Sequence, residues 1–213
     1  MKIAVDLIMF DLDGTLADTG PDLADAVNFT RVHFRLEALP NDLVYVHVGY
    51  GVEHLLKHSL PQQQPFEEVM RVFLERYEKH LLDKTVLYPG VLAALDYFRD
   101  KRRVVVTNKM HRLSVAIIRG LGVEDRFDAI LGGDSVADKK PHPALLNEVL
   151  RRYPVPVRRA LMVGDGDTDV EAGKRAGVVT CGVTYGLGNK KDLAAAQPDF
   201  LIEDLTRLSD LFC

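Results

Sequence analysis

Two aspartates separated by one residue, Asp11 and Asp13 in FDLDGT, are the first residues with chemistry in view. Thr107 and Asn108 follow in VVVTNK, Lys140 in DKKPHP, and Asp165 and Asp169 in MVGDGDTDV. Carboxylates crowded together repel one another unless a cation relieves them. Oxygen ligands from a few protein groups suit Mg²⁺, which keeps several of its waters. Asp11 and Asp165 are the candidate carboxylate ligands, with the backbone carbonyl of Asp13 as a third. Mg²⁺ and Lys140 would neutralise phosphoryl oxygens, leaving one oxygen of Asp11 for in-line attack and an aspartyl-phosphate intermediate.

The remaining groups fit the same chemistry. Asp13, where a strand gives way to a loop, would protonate the leaving oxygen and then activate water. Gly14 lets the backbone turn closely around a phosphate. The Thr107 hydroxyl and the Asn108 amide supply neutral donors. Asp169, one helical turn beyond Asp165, would orient Lys140 or a metal-bound water. Asp18, Asp22, Asp134 and Asp167 read as turn formers or helix caps.

These residues need elements to bring them together. Apolar, β-branched runs at 7–10, 104–107, 129–131, 160–163, 178–183 and 199–202 read as buried parallel strands. Helical patterns at 91–99, 113–121, 144–152 and 169–176 separate most of them. Such alternation predicts an α/β fold, a Rossmann-like doubly wound parallel sheet. Each chemical residue then follows a strand, at the sheet edge where ligands bind in open α/β folds. The alternation fails once, between the first strand and Pro89–Gly90, where only broken helical patterns appear. That stretch predicts an inserted α-helical cap at residues 17–85, with 1–16 and 86–213 forming the core.

In order, DxDGT, TN, KP and GDxxxD resemble the haloacid dehalogenase superfamily, over essentially the whole chain. FDLDGTLADTGPDL, VGYGVEHLL, YPGV, TNK and GGDSVADKKPHP are similar to its phosphoglycolate phosphatase branch. The resemblance implies an α-helical cap on a Rossmann-like core and Mg²⁺-dependent hydrolysis of 2-phosphoglycolate or a similar small phosphate monoester. It implies Asp11 as nucleophile, Asp13 as acid/base, Thr107, Asn108 and Lys140 on phosphate, and Asp165 on metal with Asp169 in support. Met110 after TNK and Gly166 after GD depart from the pattern without removing a catalytic side chain. A β-phosphoglucomutase-like phosphomutase or a pyrophosphatase would use the same core.

Substrate choice falls to the cap. Gly49, Tyr50 and Gly51 are candidates for a loop against the substrate, and Arg31 for a partner of a substrate carboxylate. His47, His54 and His58 lack a carboxylate or Cys at suggestive spacing and read as surface histidines rather than a zinc site. Gly186–Asn189 reads as a turn and Cys181 as a core residue.

Composition narrows the class. There are 27 basic and 31 acidic residues, a net charge of −4, which argues against a nucleic-acid partner. Two cysteines make no disulfide framework, so a cytoplasmic location is expected. No apolar stretch reaches spanning length, so no membrane partner is expected either. A monomer or a homodimer fits equally.

Overall fold

In a computed structural model, which describes residues 2–213, the core is a six-stranded parallel sheet. The chain enters through β1 (Leu7–Phe10) and β2 (Ala17–Asp18), then runs through α1 (Gly20–His33), α2 (Asn41–Tyr45), α3 (Val52–Ser59) and α4 (Phe66–Lys79). It returns by β3 (Val86–Leu87) to α5 (Val91–Tyr97), β4 (Arg102–Val106), α6 (His111–Gly120) and β5 (Ala129–Leu131). The last third holds α7 (Ala144–Arg152), β6 (Ala160–Gly164), α8 (Asp167–Ala176), β7 (Val179–Val183), α9 (Lys190–Ala195), β8 (Phe200–Ile202) and α10 (Leu208–Leu211).

The strand order is β5-β4-β1-β6-β7-β8. The chain therefore winds outward from β1 in one direction through β4 and β5, and in the other through β6, β7 and β8. The switch in winding lies at β1, whose carboxyl end carries Asp11. Ligand crevices in open α/β sheets form at such a point. The period of two divides the strand residues between two faces. Ile8, Phe10, Val105, Leu161 and Val163 join the larger core, which continues into the helical insertion. Leu7, Met9, Val104, Val106 and Met162 pack on the other face against Leu145, Leu146 and Val149 of α7. Cys181 is buried in the larger core, and both cysteines are free thiols. Among the described residues, no helix is long and apolar enough to cross a membrane.

The expected doubly wound sheet with a helical insertion is present. The sequence reading lacks the two short strands that bracket the insertion, β2 and β3, which pair antiparallel as Ala17↔Leu87 and Asp18↔Val86. Two residues per strand are too few for a periodicity to register. We propose the division at residues 17–85 on this ribbon, where the chain leaves and rejoins the core side by side.

Asp22 is not the simple turn or cap residue expected. It is 2% exposed and accepts hydrogen bonds from the Lys84 and Thr85 backbone N–H groups and the Thr85 hydroxyl. It thereby ties the first turn of α1 to the returning chain. Asp22→Ala leaves buried N–H groups unpaired and is expected to cost about 2–4 kcal/mol in urea unfolding; a loss below about 0.5 kcal/mol would show that water replaces the carboxylate.

Candidate active site

β1 delivers Asp11 and the loop after it turns at Gly14, whose φ is 82°. A Cβ there would lie 2.0 Å from Asp165 Oδ2, so only glycine admits the Asp165 side chain at this distance. The turn and the carboxylate are fitted to one another. β6 ends at Gly164, and Asp165 projects inward, accepting from Thr15 Oγ1 at 2.9 Å and from the Gly188 N–H at 2.8 Å. Gly186 belongs to the same support, since a Cβ on it would meet Gly14 O at 2.2 Å. Gly186–Asn189, expected to be a bare turn, is the backing of Asp165.

Lys140 is 3% exposed. Its Nζ donates to Asp11 Oδ1 at 2.9 Å, Asp169 Oδ1 at 2.6 Å and Val106 O at 2.7 Å, which uses all three ammonium protons. Asp169 is held in turn by the Gly166 N–H at the start of α8. It thus contacts Lys140 directly. Asp11, Asp165 and Asp169 each offer an oxygen within 4.8 Å of the others, all buried.

Asp13 faces elsewhere. Its Oδ1 accepts from Thr19 Oγ1 at 2.5 Å and pairs with Lys109 Nζ at 2.9 Å. Lys109 was not singled out from the sequence, although it completes TNK. Burial works against its ammonium, but Asp13 and Tyr77 together outweigh that and hold its pKa above the ordinary range. Its Nζ also stands 4.9 Å from the Tyr77 ring. Thr107 lies just beyond β4 with its hydroxyl oxygen accepting from Lys109 N, so the hydroxyl proton is available to a ligand.

Two expectations need correction. The Asn108 amide group is spent on Gly49 O (2.9 Å) and Lys140 O (2.8 Å), and its carbonyl accepts from Lys140 N. Its side chain therefore clamps the lysine segment and the cap loop rather than standing free for phosphate. Arg31 does not face the cleft: its guanidinium donates to Glu37 O and Ser59 O, which ties the end of α1 to the end of α3. Ala24 and Val27, seven and four residues earlier on α1 and so on the same helix face, are buried in the core.

Gly49, Tyr50 and Gly51 connect α2 to α3 and lie over the core. Tyr50 OH donates to Asp167 Oδ1 at 2.8 Å, so Asp167 serves as a cap contact. Below this loop are two adjoining cavities. With open solvent included in both volumes, one of about 350 Å³ is bordered by Asp11, Asp13, Asp165 and Asp169; the other, of about 450 Å³, is largely apolar and bordered by Asp13, Lys109, Tyr77, Val52 and Leu55. Asp13 stands between them. His47, His54 and His58 meet at the edge of the cleft, where His47 borders the apolar cavity, with ring nitrogens within 4.8 Å of one another. Burial first, and the neighbouring imidazoles second, lower the pKa values of His47 and His54.

A model of haloacid dehalogenase-like hydrolases matches residues 8–183. The chain belongs to this family. The phosphoglycolate phosphatase of Chromobacterium violaceum is 35% identical over 213 residues, 96% of this chain and 95% of that protein. That of Haemophilus influenzae is 33% identical, covering 98% of each. A crystal structure of a predicted phosphoglycolate phosphatase from Haemophilus somnus superposes with a TM-score of 0.91 at 29% identity, covering 97% of both chains. CbbY from Rhodobacter sphaeroides, solved in complex with phosphate, gives 0.81 at 25% identity, over 98% of this chain and 96% of that one. This haloacid dehalogenase-like chain is a phosphoric monoester hydrolase.

For such a hydrolase the buried acid cluster has a physical cost. Burial, outweighing the Lys140 ammonium, pushes Asp11 up to about 7, with Asp169 and Asp13 adding to the rise. Burial also pushes Asp165 up to about 8, helped by Asp11 and Asp169. Lys140 itself is raised, because the two carboxylates beside it outweigh its burial. A hard divalent cation fits this donor set: closely spaced carboxylate oxygens with no sulfur or imidazole among them.

In the unfolded chain these aspartates ionise near 3.8. Between that value and about 8 the folded protein keeps protons that the unfolded chain has released, so metal-free protein loses stability as pH rises through this window. A cation that replaces the protons reverses the loss. The Tm gain on adding a divalent cation to chelator-treated protein should be larger at about pH 8 than at about pH 6; equal gains would contradict the charge argument.

Proposed function

We propose that the chain hydrolyses a small phosphate monoester, 2-phosphoglycolate first among candidates, with Mg²⁺ and an aspartyl-phosphate intermediate. The observation that carries this reading is the division of labour between Asp11 and Asp13. Two residues apart, they face different surroundings: Asp11 the acid cluster and its single ammonium, Asp13 the boundary between the acidic and apolar cavities.

Asp11, Asp165 and the Asp13 backbone carbonyl would hold Mg²⁺, which when bound offsets carboxylate repulsion and withdraws charge from the phosphoryl oxygens. Lys140 fixes Asp11 through Oδ1 and adds positive charge on the same side. Asp11 Oδ2 accepts no hydrogen bond among the described residues, which leaves it for phosphorus. The Thr107 hydroxyl donates to a phosphoryl oxygen, and the backbone turn at Gly14 lets amide groups approach the same anion. As the Asp11 oxygen bonds to phosphorus, the bond to the leaving oxygen breaks and Asp13 gives that oxygen its proton. Asp13 then takes a proton from water, whose oxygen attacks phosphorus, and the acyl-phosphate bond breaks to regenerate Asp11 and release phosphate.

Lys109 and Thr19 hold Asp13 by one oxygen, leaving Oδ2 toward the leaving group. Lys109 is also the cation bordering the apolar cavity, which supports a leaving group that is short and anionic, as glycolate is. The Gly49–Gly51 loop covers the cavities and excludes water, with Asn108 and Tyr50 making its contacts to the core.

Phosphate release measured with Mg²⁺ should place 2-phosphoglycolate above sugar phosphates, nucleotides and pyrophosphate. Asp11→Asn should fold and be inactive, while Asp13→Asn should lower kcat by about 10²–10⁴-fold. Turnover by Asp11→Asn would end the covalent mechanism, and preference for sugar phosphates would end the substrate assignment alone.

A further inference from the structure

His47, His54 and His58 take no part in the chemistry above. His54 and His58 lie one turn apart on the same side of α3, and His47 reaches them from the turn that follows α2. The rings stack: His54 and His58 have centroids 3.9 Å apart at 26°, and His47 lies 4.8 Å from His58 at 29°. The uncharged imidazole is the form that binds a metal.

A second feature points to a ligand. His58 Nδ1 is 2.8 Å from His54 O, which accepts the ring N–H and leaves the Nε2 lone pair outward. A metal-bound histidine is commonly oriented in this way, by donating its other ring nitrogen to a carbonyl. We propose that His47, His54 and His58 form a second metal site, which takes a borderline divalent cation such as Zn²⁺, Ni²⁺ or Cu²⁺ through three imidazole nitrogens.

The donor set selects the ion. The group contains no carboxylate, so Mg²⁺, which prefers oxygen, has nothing to hold it there, whereas imidazole suits Zn²⁺, Ni²⁺ and Cu²⁺. Ligand nitrogens around Zn²⁺, each at about 2.0–2.1 Å, stand roughly 3.3 Å apart. The donor atoms lie within 4.8 Å of one another, and the stacked rings would have to turn about their side-chain torsions to reach that spacing. His58 is exposed and the other two are half-buried, so the ion has an entry route and water can complete its shell. His47 also borders the apolar cavity, so a bound ion would fasten the α2–α3 loop to α3 at the edge of the cleft.

The test uses the full chain, stripped with chelator and held in a large excess of Mg²⁺ so that the acid cluster is occupied. Zn²⁺ titrated by calorimetry should bind at one equivalent per chain. His58→Gln, an exposed change that should leave phosphate release with Mg²⁺ unaltered, should weaken Zn²⁺ at least about tenfold. His54→Gln combined with His58→Gln should remove it. With Cu²⁺ as probe, the paramagnetic resonance spectrum of the unaltered protein should carry imidazole nitrogen coupling. No Zn²⁺ binding, binding unchanged by the substitutions, which would put the ion on Asp11, Asp165 and Asp169, or a Cu²⁺ spectrum without nitrogen coupling would each overturn the proposal.

Discussion

One ammonium, that of Lys140, is shared by two of three buried carboxylates, and the rest of the site is arranged around that shortage of positive charge. Asp11 and Asp169 take its protons, Val106 O takes the third, and Asp165 is left with only a hydroxyl and a backbone N–H. In a low-dielectric interior this is costly unless further positive charge arrives. A cation and a phosphoryl group that shares it are complementary to what the protein leaves unmatched. The supports are specific to this constraint: glycine where Asp165 presses on the backbone, and an asparagine clamp holding the lysine segment in place.

Placing two aspartates two residues apart would be of little use if both met the same environment. Strand alternation would keep residues two apart on one face, but β1 ends at Phe10 and the turn at Gly14 sends the two to different partners. Asp11 is committed to the acid cluster, while Asp13 has its own lysine and threonine and stands where acidic and apolar spaces meet. The phosphoryl group and the organic part of a substrate then have separate compartments, with the proton-transfer group between them.

How much of this was legible in the residues depends on range. Strands 7–10 and 129–131 and helix 144–152 were read with the bounds the structure has, because buried parallel strands are continuous apolar runs and α7 is strongly patterned. Asp11, Asp13, Lys140, Asp165 and Asp169 were legible because strand ends in such a sheet converge. What escaped depends on contacts between segments distant in sequence. Nothing local distinguishes Asn108 as a donor to phosphate from Asn108 as a donor to Gly49 and Lys140. Lys109 stands beside Asn108 in TNK, and nothing local connects it to Asp13. Gly186 and Gly188 have meaning only against Asp165, and the three histidines converge only through the turn between α2 and α3.

The ribbon formed by β2 and β3 has a mechanical implication. Because the outgoing and returning strands are bonded to each other, with Asp22 bracing the junction, the helical layer is joined to the sheet along one seam instead of by two independent tethers. A paired ribbon twists more readily than its strands separate, so the freedom left to the layer is mainly rotation about that seam. At Gly49–Gly51 the layer is fastened by the Asn108–Gly49 O and Tyr50–Asp167 hydrogen bonds, which such a rotation would have to break. Rotation about that seam would uncover the acidic and apolar cavities on the same side of the sheet.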